Sequence, residues 1–259
     1  MSLFLAGLPL WLGALLIVIL PTALAMSGPV LVRRRVSLER LTTNNEIAGF
    51  KFATVGVIFA VLLAFAIIMV WERFSDAETA VVEEGGAAAT LYRLAAGDEP
   101  AARATRAALS DYLRAAIDKD WPSMGHEKSN REVTSTLDAL YARTLDLARS
   151  GSRQQSVLLE MFHQLDAVTQ ARRARLHLAI GIVPGMLWAV LVLGGVLTVS
   201  FTFFFGTRNL RAQVLMTGIL SLIVFMGLFV IVSINHPFTG PVHIDSEPLQ
   251  AALEDFGGR

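Results

Sequence analysis

The stretch FATVGVIFAVLLAFAIIMVW, residues 52–71, decides the fold. Its twenty residues carry no ionisable side chain. A helix of that length rises about 30 Å, the thickness of a bilayer's hydrocarbon core. Core helices of soluble domains are amphipathic and strands alternate, and this segment does neither. Working outward, residues 2–32, 178–205 and 212–234 also lack Asp, Glu, Lys and Arg. Each is long enough to cross a membrane as a helix. The chain therefore reads as an all-α membrane protein with four transmembrane helices.

The charges mark what lies outside the lipid. Residues 72–178 hold 14 of the 22 basic and 16 of the 22 acidic side chains, so this region is solvated. It lies between the second and third spans. The expected division is 1–71 for span one, a basic linker and span two; 72–177 for a helical extramembrane domain; 178–234 for a hairpin of spans three and four; and 235–259 for a polar tail.

Span one is expected over Leu5 to Met26, kinked at Pro21 and ended by Ser27-Gly28-Pro29. Ala23-Leu24-Ala25 also has the small-x-small form of a signal-peptidase site. Met1 to Trp11 carries no Lys or Arg, and Arg33, Arg34 and Arg35 follow the apolar run, which favours an uncleaved span. Span two is expected from Asn44 to past Trp71, the boundary tryptophan. The turn from Gly206 to Arg211 is short, so spans three and four pair antiparallel.

The solvated region reads as helices. One continues from span two to Ala96 and stops at Gly97. Asp98-Glu99-Pro100 opens the next, which buries Leu109, Tyr112, Leu113 and Ala116. Ser129-Asn130-Arg131-Glu132 has the capping-box pattern with Ser129 as N-cap, and the third helix is expected to bury Leu137, Leu140, Tyr141, Thr144 and Leu145. A fourth starts near Arg153 and is expected to run straight into span three. With four spans, the short linkers share one side of the membrane and the domain lies on the other. The linkers hold more of the membrane-proximal Lys and Arg, which favours a cytoplasmic position for them.

Few residues read as chemistry. Asn44, Asn45, Glu46 and Lys51 form the most polar cluster beside a span. They read as a pore mouth, because ionisable groups near hydrocarbon serve pathways. The plainer reading is a helix start, with Asn44 capping, Glu46 on the dipole and Lys51 snorkelling. Phe52 and Phe59 share one face of span two and suit either a hydrophobic constriction or plain packing. Gly56, Ala60 and Ala64 form a small-residue stripe suited to close helix packing, and hence to a homo-oligomer. Arg172, Arg173 and Arg175 are juxtamembrane cations that would meet lipid headgroups, draw anions or simply anchor the helix. Glu160 and His163 have the spacing of a carboxylate-bridged metal site, but no second Glu-x-x-His accompanies them, so a solvated face is the plainer reading and no metal is expected.

The chain has no cysteine, which excludes disulfides and thiolate chemistry. Its formal net charge is zero and it has no basic motif, so no nucleic-acid partner is expected. No phosphate-binding loop, nucleophile elbow or zinc motif occurs, so neither an enzyme nor a cofactor is expected.

Four blocks together resemble the bacterial bestrophin-like domain family, a family of unknown function. They are Asn44-Asn45-Glu46-Ile47-Ala48-Gly49-Phe50-Lys51-Phe52 entering span two, Trp71-Glu72-Arg73-Phe74-Ser75-Asp76-Ala77-Glu78 leaving it, Arg172-Arg173-x-Arg175-Leu176 before span three, and His236-Pro237-Phe238-Thr239-Gly240-Pro241 after span four. The resemblance covers nearly the whole chain. It implies a likeness to bestrophins, oligomeric anion channels with four membrane helices and a helical cytosolic part between spans two and three. It therefore implies a bacterial inner-membrane protein, a homo-oligomer with span two lining the pore, and small anions as cargo. The bestrophin acidic calcium-clasp run is absent here. The cytosolic domain that the resemblance implies opposes the charge count, so the orientation stays open. The alternative is a non-conducting scaffold or sensor whose helical domain binds a partner.

Overall fold

The computed structural model describes residues 7–43 and 45–257. Every regular element among them is helical: α1 (Leu10–Arg35), α2 (Leu38–Thr43), α3 (Asn45–Leu94), α4 (Pro100–Ala115), α5 (Trp121–Met124), α6 (Arg131–Arg149), α7 (Gln155–Leu178), α8 (Gly185–Phe201), α9 (Leu210–Ile234) and α10 (Glu247–Gly257). Among the described residues, α1, α3, α8 and α9 are long and apolar enough to cross a membrane. The residues form two compact units. The first comprises residues up to Glu72, Ile182–His236 and Gly240–Val242; the second comprises Arg73–Gly181, Pro237–Thr239 and the chain from His243.

In the first unit, α9 packs lengthwise on α1 and also against α8. Glycines allow the close approaches. A Cβ on Gly195 would lie 3.2 Å from Val224, and one on Gly194 would lie 2.8 Å from the Phe59 ring. The α3 segment presents Phe52, Phe59, Leu63, Ala66 and Val70 to this unit at spacings of seven, four, three and four, the signature of one helical stripe.

Span one departs from the sequence reading. Ser27-Gly28-Pro29 does not end it, and the helix continues to Arg35 with Pro29 buried inside. Gly28 stacks under the Phe203 ring, and Arg33 donates to the Thr207 carbonyl at 2.6 Å, so tertiary packing outweighs the local breaker. The disturbance lies instead just ahead of Pro21, where Leu15–Ile19 form a π turn.

The second unit is a helical bundle in which α4 and α6 make its most extensive packing. Leu109, Tyr112, Leu113 and Ala116 are all fully buried, as their spacing predicts. Gly97 turns the chain with φ of +137°, and Pro100 opens α4 at its first position. Three local expectations are corrected. Asn130, not Ser129, caps α6, its side chain accepting the Glu132 N–H at 2.9 Å. Leu145 is exposed and Leu147 is buried, because the apolar stripe of α6 runs through Val133, Leu137, Leu140, Thr144 and Leu147. α7 ends at Leu178 rather than continuing into span three, because Pro184 can enter only the start of the next helix. The tail packs into this unit, with Tyr92 and Phe256 stacked at a centroid distance of 3.8 Å.

Candidate functional site

The candidate surface of the first unit is the first half of α3. Phe52, Phe59, Leu63, Ala66 and Val70 face inward. On the opposite side Phe50, Thr54, Val57, Val61, Phe65 and Ile68 are exposed, an almost wholly apolar stripe. Between the two faces Gly56 is half-buried and Ala60 and Ala64 are exposed, and no atom would meet a Cβ on Gly56. Among the described residues, most of the surface of this membrane helix has no partner inside the protomer.

Two of the expected pore candidates therefore move. Phe59 is 5% exposed and packs on Gly194 and Gly195 inside the unit. Phe52 is half-buried against Phe201 and Phe205, with centroids 5.8 and 5.6 Å away. Asn45 is occupied as well. Its amide donates to the Gly206 carbonyl at 2.7 Å and accepts the Gly206 N–H at 3.0 Å. That clamp holds the turn between α8 and α9, where a Cβ on Gly206 would strike the Thr42 nitrogen at 2.8 Å. Gln213 donates to the Phe205 carbonyl of the same turn. Glu46 and Lys51 are exposed. Asn44 lies outside the described residues. Arg34, Arg35, Arg40, Lys51, Arg208 and Arg211 are all exposed around these linkers, against two acids there, Glu39 and Glu46.

The second unit contains a charged cluster that inspection of the sequence missed. Arg175 is fully buried and donates in bidentate fashion to Glu84, from Nε to Oε2 at 2.6 Å and from Nη2 to Oε1 at 3.0 Å. Asp120 lies 3.6 Å from the same guanidinium and accepts from Arg172 Nε at 2.9 Å. Tyr112 donates to Glu84 at 2.6 Å. The Arg175 guanidinium also lies over the Trp121 ring, 4.5 Å from its centroid, a cation–π contact.

Burial pushes the Tyr112 hydroxyl pKa well above its usual value, and the neighbouring Glu84 carboxylate adds to the shift. Burial alone would lower that of Arg175, but Glu84, with Tyr112 and Asp120, drives it up. Two carboxylates and two guanidiniums balance, and each finds charge-assisted hydrogen bonds. The cluster thus offers no free donor to an anion or a headgroup. Of the three arginines expected to do so, only Arg173 is exposed; Arg172 and Arg175 are committed internally. Position signals their role: Met161, Leu165, Val168, Arg172, Arg175 and Ala179 repeat every four and three residues, whereas Arg173 falls off that stripe. Glu84 occupies the matching stripe of α3, between Val81 and Ala88.

Glu160 and His163 lie 3.7 Å apart on an exposed face of α7, and among the described residues no group of three metal-ligating side chains forms.

The model of the Bestrophin-like domain family matches residues 19–249. The chain belongs to this family. No curated protein matches it. Among solved structures, the bestrophin-like chain is similar to a bacterial bestrophin homolog from Klebsiella pneumoniae. One single-substitution variant of that protein superposes with a TM-score of 0.74 at 15% identity, over 93% of this chain and 99% of that one. A second variant gives 0.73 at 15% identity with the same coverage. A third structure of the homolog, phased on zinc, gives 0.69 at 15% identity over 92% and 95% of the two chains. At that identity the likeness establishes a shared fold.

Proposed function

We propose that this bestrophin-like protein is a homo-oligomeric anion channel in a bacterial inner membrane, with α3 facing the central axis. The observation that carries the proposal is the unpartnered outer face of α3. Ala60 and Ala64 on the exposed face, with half-buried Gly56 beside them, leave room for another helix to approach closely. The neighbouring stripe of Phe50, Val57, Val61 and Phe65 takes over the role first given to Phe52 and Phe59. Repeated around an axis, such side chains form a hydrophobic constriction that gates by dewetting. The exposed Arg and Lys around the linkers raise the local anion concentration at one mouth. Membership of the family and the fold match over 93% of the chain support the same reading.

The test is chloride flux from liposomes containing the purified protein, with the oligomer confirmed by native mass. The proposal expects flux above that of empty vesicles, and faster flux for Val57→Ser. Oligomers that pass no chloride would overturn it and leave the scaffold or sensor reading.

A further inference from the structure

The interior of the first unit carries polar side chains that the channel reading does not use. Thr198 on α8 is 3% exposed and Ser221 on α9 is fully buried. The hydroxyls of Thr198 and of Thr22 on α1 are shielded and have no hydrogen-bond partner among the described residues.

The helix registers bring these three residues to one level. On α8 and α9, Gly195 meets Val224, and the Thr202 and Thr217 hydroxyls lie 3.2 Å apart. Thr198 is three residues past Gly195, and Ser221 is three residues before Val224. On α1 and α9, Gly13 meets Phe229 and Gly218 meets Met26. Counted from either contact, Thr22 is level with Ser221 to within a residue. Ser221 is also near the middle of α9.

The neighbouring backbone adds to the polarity. In the π turn of Leu15–Ile19 the Leu20 N–H reaches back to the Leu15 carbonyl. Pro21 follows and supplies no N–H, so that turn is one donor short. Three hydroxyl groups therefore lie at one level of the α1, α8 and α9 packing near that turn, in surroundings where bulk water is absent; Ser221 already donates to the Gly218 carbonyl at 3.0 Å and keeps its acceptor lone pairs, while Thr22 and Thr198 each offer a donor and an acceptor. An anion here would face carbonyl oxygens and no cation. A metal cation would have no carboxylate. Both would leave a bare charge in hydrocarbon. A water molecule takes two to four partners of either kind.

We propose that Thr22, Thr198 and Ser221 hold a buried water molecule that joins α1, α8 and α9 beside the π turn. The site is independent of whether the protein conducts.

The test uses the whole chain purified in detergent micelles and reads its thermal midpoint. Thr198→Val keeps the shape and removes the hydroxyl, and is expected to lower the midpoint by about 2–4 °C. Thr198→Ser keeps the hydroxyl and is expected to stay near the parent. Ser221→Ala added to Thr198→Val is expected to cost less than Ser221→Ala alone, because the water is already lost. A Thr198→Val midpoint that is unchanged or raised would show that only an orphan hydroxyl was removed, and would overturn the site. Additive effects would overturn it too. So would a shift on exchanging chloride for gluconate that disappears in Thr198→Val, since an anion would then occupy the place.

Discussion

Replacing Arg175 by Met tests the buried charge cluster most directly. Met matches the length of the arginine stem and packs against Met124 and Trp121. It leaves Glu84 and Asp120, both fully buried, with Arg172, which is paired to Asp120, as the remaining guanidinium of the cluster. Glu84 then loses both guanidinium hydrogen bonds and keeps only Tyr112. Breaking a buried pair by removing one partner costs about 3–5 kcal/mol, mostly because the remaining charge stays desolvated. At about 2–4 °C per kcal/mol for a chain of this size, the midpoint should fall by about 6–20 °C. The assay is a fluorescence melt of the purified protein, with Trp121 beside the lesion as a reporter. The double variant Arg175→Met with Glu84→Gln removes both charges, and the amide oxygen it introduces still accepts from Tyr112. It should recover more than half of the loss, since an ion pair exchanged for neutral packing is close to energetically neutral. A single variant within about 1 kcal/mol of the parent, or a double variant no better than the single, would refute the argument. The cluster would then not be held by complementary charge.

Three further outcomes are expected. Tyr112 has a folded pKa raised above its unfolded value of about 10, so its contribution is intact below that pH and declines as pH rises toward the folded value; denaturant titrations should show a steeper alkaline loss for the parent than for Tyr112→Phe. Asn45→Ala removes both bonds to Gly206, leaving a buried N–H and C=O unpaired at a cost of about 1–3 kcal/mol, visible as a lower thermal midpoint. Ala60→Leu places a branched side chain on the small-residue stripe and should weaken assembly, read as a shift toward smaller species in native mass measurements; an unchanged mass would remove the stripe from the interface.

The spans were legible because the bilayer demands long uncharged helices, and that constraint is almost independent of tertiary contacts. Helix ends were less legible because they depend on neighbours. Nothing local says that Pro29 is carried inside α1; a ring from residue 203 and a carbonyl from residue 207 hold that end in place. The end of α6 nearest Asn130 shows the same limit at shorter range: Ser129 and Asn130 are both good caps, and Asp120 settles the contest by accepting the Asn130 N–H at 3.1 Å.

Side-chain roles failed for a different reason. Proximity to a span groups Arg172 and Arg175 with Arg173, because it counts charges along the chain. Sorting them by helical face separates the three at once. Two arginines on an apolar stripe must be matched inside the unit, because a buried unpaired guanidinium is too costly to keep. The search for that match is short: an acid must also occupy an apolar stripe, and Glu84 and Asp120 do. The same sorting divides α3. Phe52 and Phe59 share the inward stripe with Leu63 and Val70, whereas Phe50 and Phe65 fall on the opposite side. An aromatic residue in a membrane helix is therefore informative only after its face is known. For this chain the outward Phe50 and Phe65, on the same exposed side as Ala60 and Ala64, are the phenylalanines of the membrane half of α3 that packing inside the unit leaves uncovered.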